Sequence, residues 1–240
     1  MMTSAHTDAL RIACRYLARD PLLHTDMTEA LRRGLGHVVA AEETGVLLSV
    51  DEGYCGMLSC RDGETALRLL GDRSFPLLAI HQADQEASLC RSLGMETWMR
   101  CYQAVYEHER PPVRDTAGIR QLTGEHLDFL IANYRHEDSE YLAWRLERGA
   151  LFGAFREGQL AGFIGKHAEG SMGLLEVLPA WRRRGIASSL ESFLIAMELD
   201  RGNRPYCQLF TDNSASMALQ KKLGLSIAEG EVIWLRSSPV

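Results

Sequence analysis

The sequence predicts an α/β (α+β) protein of two tandem mixed-sheet units, the N-terminal one a degenerate copy, and three observations carry that expectation. Short β-rich runs alternate with stretches of helical periodicity along most of the chain. Near the middle, Glu107-His-Glu-Arg-Pro-Pro-Val-Arg-Asp-Thr-Ala-Gly118 is polar, carries consecutive prolines and breaks every periodicity, as a linker does. The two flanks then end alike. Asp84 to Met95 and a strand containing Trp98 parallel Ser214 to Leu225 and a strand containing Trp234, with Leu89, Leu93 and Gly94 recurring 130 residues later as Leu219, Leu223 and Gly224. A chain of 240 residues, at a nominal ~150 per domain, lies between one large domain and two small ones. The boundary is set inside the linker, giving units 1–112 and 113–240.

In chain order, Leu10, Ala13, Cys14 and Leu17 recur at helical spacing and stop before Asp20-Pro21. His37 to Ala41, Val46 to Val50 and Tyr54 to Cys60 read as an antiparallel meander separated by Glu-Thr-Gly and Asp-Glu-Gly turns. A helix over Glu64 to Leu70, a buried strand over Phe75 to His81, a helix over Asp84 to Leu93 ended by Gly94, and a long strand from Met95 to Glu107 complete the first half. The second half opens with a short strand at Ile119 to Leu122 and helices over Glu125 to Ala132 and Ser139 to Arg148. Strands follow at Ala150 to Arg156, Leu160 to His167 and Met172 to Leu178. Ile186, Leu190, Phe193, Leu194 and Met197 mark a helix, Tyr206 to Thr211 a strand, Ser214 to Leu223 a helix ended by Gly224, and Ile227 to Arg236 a last strand.

Composition narrows the function classes. Hydrophobic residues at 46% and charged residues at 24% describe an ordinary globular chain. Lys plus Arg is 26 and Asp plus Glu is 32, a net charge of −6, which disfavours nucleic acid or an acidic membrane as partner. No run reaches the roughly 18 apolar residues of a membrane helix, and Asp8, Arg11 and Arg15 interrupt any signal-peptide core near the start, so a cytoplasmic location is expected. The six cysteines form no CxxC pair and have no histidine at zinc spacing; no metal is expected.

The stretch from Val177 to Ala187 lies between an apolar strand and a helix-periodic segment, the context an anion-cradling loop requires. Free N–H groups at the helix start and the positive end of its dipole attract a phosphate, while Gly185 permits close backbone approach and Ala187 keeps the helix entrance small. No Gly-Lys-Ser/Thr follows, so it is no P-loop, and no Gly-x-Gly-x-x-Gly is present, so it is no dinucleotide fingerprint.

Val177-x-Pro179-x-x-Arg182-x-x-Gly185-x-Ala187 resembles the hallmark motif of the GNAT superfamily of acyl-CoA-dependent N-acyltransferases. Asn213-x-x-Ser216-x-x-Leu219-Gln-x-Lys222-Leu223-Gly224 resembles its second signature. The resemblance covers Ile119 to Leu235, and Glu169 to Leu175 with Trp234 is similar to the glycine N-acyltransferase-like branch; the N-terminal half resembles the family weakly. The resemblance implies acetyl-CoA, or another acyl-CoA, as co-substrate. Its pantetheine arm would pair with Leu175, Val177 and Leu178 as an added strand, and its pyrophosphate would meet Arg182, Arg183, Arg184, Gly185, Ile186, Ala187 and Ser188. Asn213 and Ser216 would lie near the pantetheine. The partner implied is a small-molecule amine acceptor, with a homodimer as an allowed assembly. The family usually places a tyrosine, the acid for the departing thiolate, where this sequence has Gln220.

Attack on a thioester needs a neutral amine. With a pKa of ~10.4, an alkyl amine is only about 0.04% neutral at pH 7, a cost of roughly 4.6 kcal/mol. Glu169 and Glu176, the carboxylates nearest the loop in sequence, are the catalytic candidates, with His167 a third option. The expected function is N-acyl transfer to a small amine. The alternative is a non-catalytic acyl-CoA-binding sensor, suggested by Gln220 and by the degenerate first half, whose expected role is to cover the second and shape its acceptor pocket.

Overall fold

The computed structural model describes residues 4–112 and 114–237; Val113, where the expected second unit begins, lies outside them. Two compact units emerge, one of Met1–Val105, Gln208–Ser214 and Ser226–Val240, the other of Tyr106–Cys207 and Ala215–Leu225.

The first unit contains α1 (Ser4–Leu17), α2 (Thr25–Arg32), β1 (Gly36–Glu42), β2 (Gly45–Val50), β3 (Cys55–Cys60), α3 (Gly63–Leu70), β4 (Leu77–Ile80), α4 (Glu86–Leu93) and β5 (Met95–Val105), joined by the last strand, β11 (Ser226–Ser237). Strand order is β1-β2-β3-β4-β11-β5. All neighbours are antiparallel except β3 and β4, which pair in parallel from Cys55 with Leu77 through Leu58 with Ile80. Alternation along β2 explains why the sheet is covered twice. Val46, Leu48 and Val50 join a core with Ala13, Leu17 and Met27, whereas Leu47 joins Leu69, Leu70 and Leu89 in another. The helices α1 and α2 therefore serve one core, and α3 and α4 the other.

Helix α2 is absent from the sequence expectation. Eight residues are too few for a clear period, and its interior holds Asp26 and Glu29, both buried polar residues. The turn before it is built from side chains: Leu23 N donates to Asp20 Oδ1 at 3.0 Å, and Thr25 Oγ1 donates to the Pro21 carbonyl at 2.7 Å. The expected stop at Gly94 is present, in the left-handed conformation at φ 63°.

The second unit holds β6 (Ile119–Gln121), α5 (Leu127–Asn133), α6 (Ser139–Glu147), β7 (Leu151–Arg156), β8 (Gln159–Lys166), β9 (Met172–Val177), α7 (Ile186–Asp200), the first part of β10 (Tyr206–Phe210) and most of α8 (Ser214–Leu223). Its strand order is β6-β7-β8-β9-β10, antiparallel except where β9 meets β10. Leu130, Leu142 and Leu146 of α5 and α6 pack with Leu151, Phe163 and Leu174. Helix α7 also packs on β7, β8 and β9, with the Phe193 ring 5.2 Å from that of Phe152. The end of α7 is pinned by Glu198, which is 1% exposed and receives Lys166 Nζ at 2.8 Å and Asn203 Nδ2 at 2.8 Å.

A buried polar network ties the first unit together. His81 Nε2 lies 3.0 Å from Asp26 Oδ1, His81 Nδ1 is 3.1 Å from the Leu58 carbonyl, and Gln208 Nε2 donates to Asp26 Oδ2 at 3.2 Å. Trp234 Nε1 donates in turn to Gln208 Oε1 at 2.6 Å. Burial alone opposes charge on His81, and the Asp26 carboxylate overcomes it, so the imidazole pKa is raised. A histidine pKa raised by folding adds stability below the unfolded value of ~6.5, and that contribution is lost as pH rises through the folded value. Asp26→Asn is expected to destabilise the protein by about 3–5 kcal/mol at pH 6, with a smaller deficit at alkaline pH, in denaturant titrations across pH. A deficit independent of pH would show that His81 carries no charge in the fold.

Candidate active site

The site is built around an open edge of β9. Between the pairs Phe163 with Glu176 and Gly165 with Gly173, β8 advances two residues while β9 advances three, so β9 carries an extra residue. Leu174 sits there at φ 53°, a left-handed conformation unusual for leucine, with its side chain 1% exposed in the α5–α6 core. Leu178 N donates to the Ala161 carbonyl of β8 at 3.0 Å, so by the two-residue alternation Leu175 and Val177 turn their N–H and C=O groups away from β8. On that far side the ladder with β10 is present at Met172 with Cys207 and not beyond it among the described residues. Leu175 and the N–H of Val177 are thus placed as an unladdered strand edge, while Leu178 faces β8.

The chain then passes through a short turn, Pro179–Trp181, into α7. Arg182 folds back, its Nε donating to the Val177 carbonyl at 2.9 Å and its guanidinium reaching Glu176 Oε1 at 3.1 Å. The Arg184 guanidinium lies 5.1 Å from the centroid of the Trp181 ring. Arg183 and Gly185 both have positive φ, 63° and 82°, and a Cβ on Gly185 would meet nothing within 4 Å. The glycine is required by the backbone turn and opens onto free space. No side chain caps α7; its first helical bond runs from Ser189 N to the Gly185 carbonyl, which leaves the N–H groups of Ile186, Ala187 and Ser188 pointing outward. An exposed strand edge leading into an uncapped helix start, with Arg183 and Arg184 beside it, suits an extended amide-bearing chain ending in a pyrophosphate. Ser216 stands in the first turn of α8, and Asn213, whose N–H donates to the Phe210 carbonyl at 3.0 Å, is part of the first unit.

On the other side of β9 the structure gathers groups that the sequence reading treated singly or missed. The Arg145 guanidinium donates to the carbonyls of Lys166 and His167 at 2.7 and 3.2 Å and fixes the β8–β9 hairpin. Ala168 N donates to Tyr141 Oη at 3.3 Å, and Tyr141 Oη lies 3.0 Å from His167 Nδ1. The Nε2 of His167 rests on the backbone of β9, 2.5 Å from where a Gly173 Cβ would stand. Burial holds the His167 pKa below its ordinary value, against the pull of Glu169 and with help from Arg145. Glu169 is 8% exposed and accepts from the Ser171 hydroxyl, and its backbone carbonyl accepts from Tyr206 Oη at 2.8 Å.

Glu137, in the loop between α5 and α6, places Oε1 3.8 Å from His167 Nδ1. Burial pushes its pKa up to about 7, with Glu169 and Asp138 adding to the rise. Sequence reasoning passed over Glu137 because Arg135-His-Glu-Asp138 has the composition of a plain solvated connection. The one available signal is the Asp138 cap of α6, whose Oδ1 accepts from Tyr141 N at 2.7 Å and fixes the loop's exit.

Gln220, the departure from the expected tyrosine, is 1% exposed, and its Nε2 donates to Glu191 Oε1 at 2.7 Å. Glu191 Oε2 and Gln220 Oε1 find no partner among the described residues. Burial pushes the Glu191 pKa up to about 7, opposed only by that bond.

The family model for the acetyltransferase (GNAT) family matches residues 96–225. No curated protein sequence matches the chain. Among solved structures, a Drosophila protein superposes with TM-score 0.69 at 16% identity, over 98% of this chain and 97% of that one. A GCN5-related N-acetyltransferase-like protein from Streptococcus suis gives 0.58 at 14% identity, over 95% and 98%. An acetyltransferase of the GNAT family from Colwellia psychrerythraea gives 0.53 at 14% identity, over 98% and 97%. At these identities the structural likeness speaks for the fold.

Because the Glu191 pKa is raised, ionisation costs stability as pH climbs from the unfolded value near 4.5 to about 7, and the cost is constant above that. Glu191→Gln keeps the shape and removes the charge. Thermal melts are expected to show the variant level with the wild type at pH 4 and more stable at pH 8; equal stability at both would mean that the carboxyl is not held neutral.

Proposed function

The chain belongs to the acetyltransferase (GNAT) family, and from that premise we propose that it moves an acetyl or other small acyl group from coenzyme A to the amine of a small molecule, by direct attack of the amine on the thioester. The observation that carries this reading is the open edge of β9 running into the uncapped start of α7. Leu175 and Val177 would pair with the pantetheine amides as an added strand. The N–H groups from Arg183 to Ser188 would receive the pyrophosphate, with Arg183 and Arg184 supplying charge. Arg182, assigned with them to the pyrophosphate by the motif, is bonded to Val177 and Glu176 and holds the end of β9 against the loop. Asn213 and Ser216 are assigned to the pantetheine by the motif alone.

Glu169 and Glu176 keep a place in this reading as negative charge beside β9, each engaged by a neighbour, Ser171 and Arg182. Their side of the sheet, lined also by His167, Tyr134 and Tyr141, is where a cationic acceptor would be received. A glycine N-acyltransferase-like affinity and a degenerate N-terminal copy belong to the same proposal. Supporting the latter, β3 and β4 of the first unit are laddered along their length, and His81 N continues the pairing to the Leu58 carbonyl at 3.1 Å, so no edge is open there. The second reading, an acyl-CoA sensor, is favoured by Gln220 and its bond to Glu191.

Gly185→Glu is expected to abolish coenzyme A binding in calorimetric titration, because a side chain and a negative charge would fill the anion site. Undiminished affinity would refute the loop assignment. The wild type is expected to bind one coenzyme A per chain; two would open the first unit as well. Thiol release from acetyl-CoA with a panel of small amines separates the readings, since a sensor binds without releasing thiol.

A further inference from the structure

We propose that Glu137 is the carboxylate that takes the proton from the acceptor's ammonium group, an assignment that rests on the acyl-transfer reading and deepens it. Three carboxylates flank the acceptor side of β9, and their engagements differ. Glu176 is held by the Arg182 guanidinium. Glu169 accepts from the Ser171 hydroxyl. The Glu137 side chain is 16% exposed, and its carboxylate accepts no hydrogen bond among the described residues; its nearest polar neighbour is His167 Nδ1 at 3.8 Å. That nitrogen is already occupied by the Tyr141 hydroxyl at 3.0 Å, so the carboxylate is left with open lone pairs.

Its position matches the task. The His167 ring beside Glu137 stacks on Tyr141 at 5.9 Å and rests on Gly173, one residue past Met172, where the ladder between β9 and β10 ends. The His167 ring thus stands between the Glu137 carboxylate and the backbone of β9 at Gly173, two residues before Leu175 of the strand edge proposed for the thioester arm. Tyr134, whose ring lies 6.0 Å from that of Phe163, feels both Glu137 and Glu176. The charged and titratable groups around Glu137 are thus His167, Glu169, Asp138, Tyr134 and Tyr141, with Arg145 behind the hairpin. No lysine or arginine side chain pairs with it among the described residues. Burial raises its affinity for a proton until it is half-ionised near neutral pH, which suits a general base better than an ordinary carboxylate of pKa ~4.3.

The step balances as follows. One ammonium proton passes to the Glu137 carboxylate, and the nitrogen lone pair so freed attacks the thioester carbon. The C–N bond forms, the C–S bond breaks with its electron pair going to sulfur, and the second N–H proton leaves to the thiolate or to water. Glu137 then returns its proton to solvent.

The test compares full-length wild type, Glu137→Gln, Glu137→Asp and Glu169→Gln for thiol release from acetyl-CoA with small amines between pH 6 and 9. It adds calorimetry with coenzyme A and a 13C titration of the glutamate carboxyls. Glu137→Gln is expected to lower kcat by ~10²–10⁴ at pH 7, with unchanged coenzyme A affinity and unchanged melting, and the loss is expected to shrink as pH rises and the amine loses its own proton. Glu137→Asp should recover part of the rate. Two carboxyl resonances, those of Glu137 and Glu191, are expected to titrate near neutral pH, and one of them should disappear in a Glu137→Gln variant whose melting is unchanged. An active wild type with an equally fast Glu137→Gln, or a Glu137 midpoint below pH 5, overturns the assignment alone. A loss found only in Glu169→Gln moves the role there. A wild type that binds coenzyme A and turns over no amine overturns the assignment together with the reading beneath it.

Discussion

Two parallel strands hide their backbone N–H and C=O groups in a shared ladder, and once they part, each exposed group needs another partner or a ligand. The second unit is organised around that constraint. Its β9–β10 ladder ends at Met172 with Cys207, and the neighbouring backbone is held by side chains: Tyr206 bonds the Glu169 carbonyl and Arg182 the Val177 carbonyl. The extra residue at Leu174 bends β9 from the other side. A leucine at positive φ costs of order 1–3 kcal/mol, and burial of its side chain among Leu130, Leu142 and Phe163 offsets the strain. In the first unit the parallel strands β3 and β4 stay laddered, and the backbone beyond them is closed by Gln82 and Gln85, which bond Cys60 N at 2.8 Å and the Cys60 carbonyl at 3.1 Å. One strand–helix–strand arrangement, with different side chains at its end, gives an open edge in one unit and a sealed one in the other.

Helix α7 shows how differently a fold can treat two buried carboxylates. Glu198 receives a lysine, an arginine and an asparagine side chain, and each donor also anchors something: Lys166 the end of β8, Arg201 and Asn203 the turn that follows. Glu191 has one amide for company and an oxygen without a partner, so the neutral acid is the form that suits its surroundings. The first is a fastening. The second is a polar group whose cost varies with pH.

Much of this was legible in the sequence, for identifiable reasons. Helices with a clear apolar period and glycine stops are found where expected, as at Leu89 to Gly94 and Leu219 to Gly224, because a residue in the left-handed conformation ends a helix locally. The loop from Arg182 to Ala187 was visible for the same reason, since glycine and helix start are neighbours. What was hidden depends on tertiary partners. Met172-Gly-Leu-Leu-Glu-Val177 reads as a plain strand, and nothing in a leucine announces a bulge at Leu174. Glu191 lies beyond the apolar stripe of Ile186, Leu190 and Leu194, and becomes buried against α8 through a pairing with Gln220 that periodicity does not encode. The last strand follows the second half in sequence, yet pairs with β4 and β5 of the first unit, a long-range choice that no local pattern carries.

The absence of a tyrosine at Gln220 acquires a physical sense under the acyl-transfer reading. A thiol of pKa ~8.5 leaves as thiolate at pH 7 for about 2 kcal/mol, whereas freeing an amine of pKa ~10.4 from its proton costs about 4.6 kcal/mol. Under that reading the larger barrier lies with the acceptor; Glu137, His167 and Glu169 crowd one side of β9, close enough to shift one another. On α8 the corresponding place holds an amide already engaged by Glu191, which has no acidic proton to give. Under the acyl-transfer reading, the residues able to take a proton stand where the proton is hardest to move, and the departing sulfur is left to solvent.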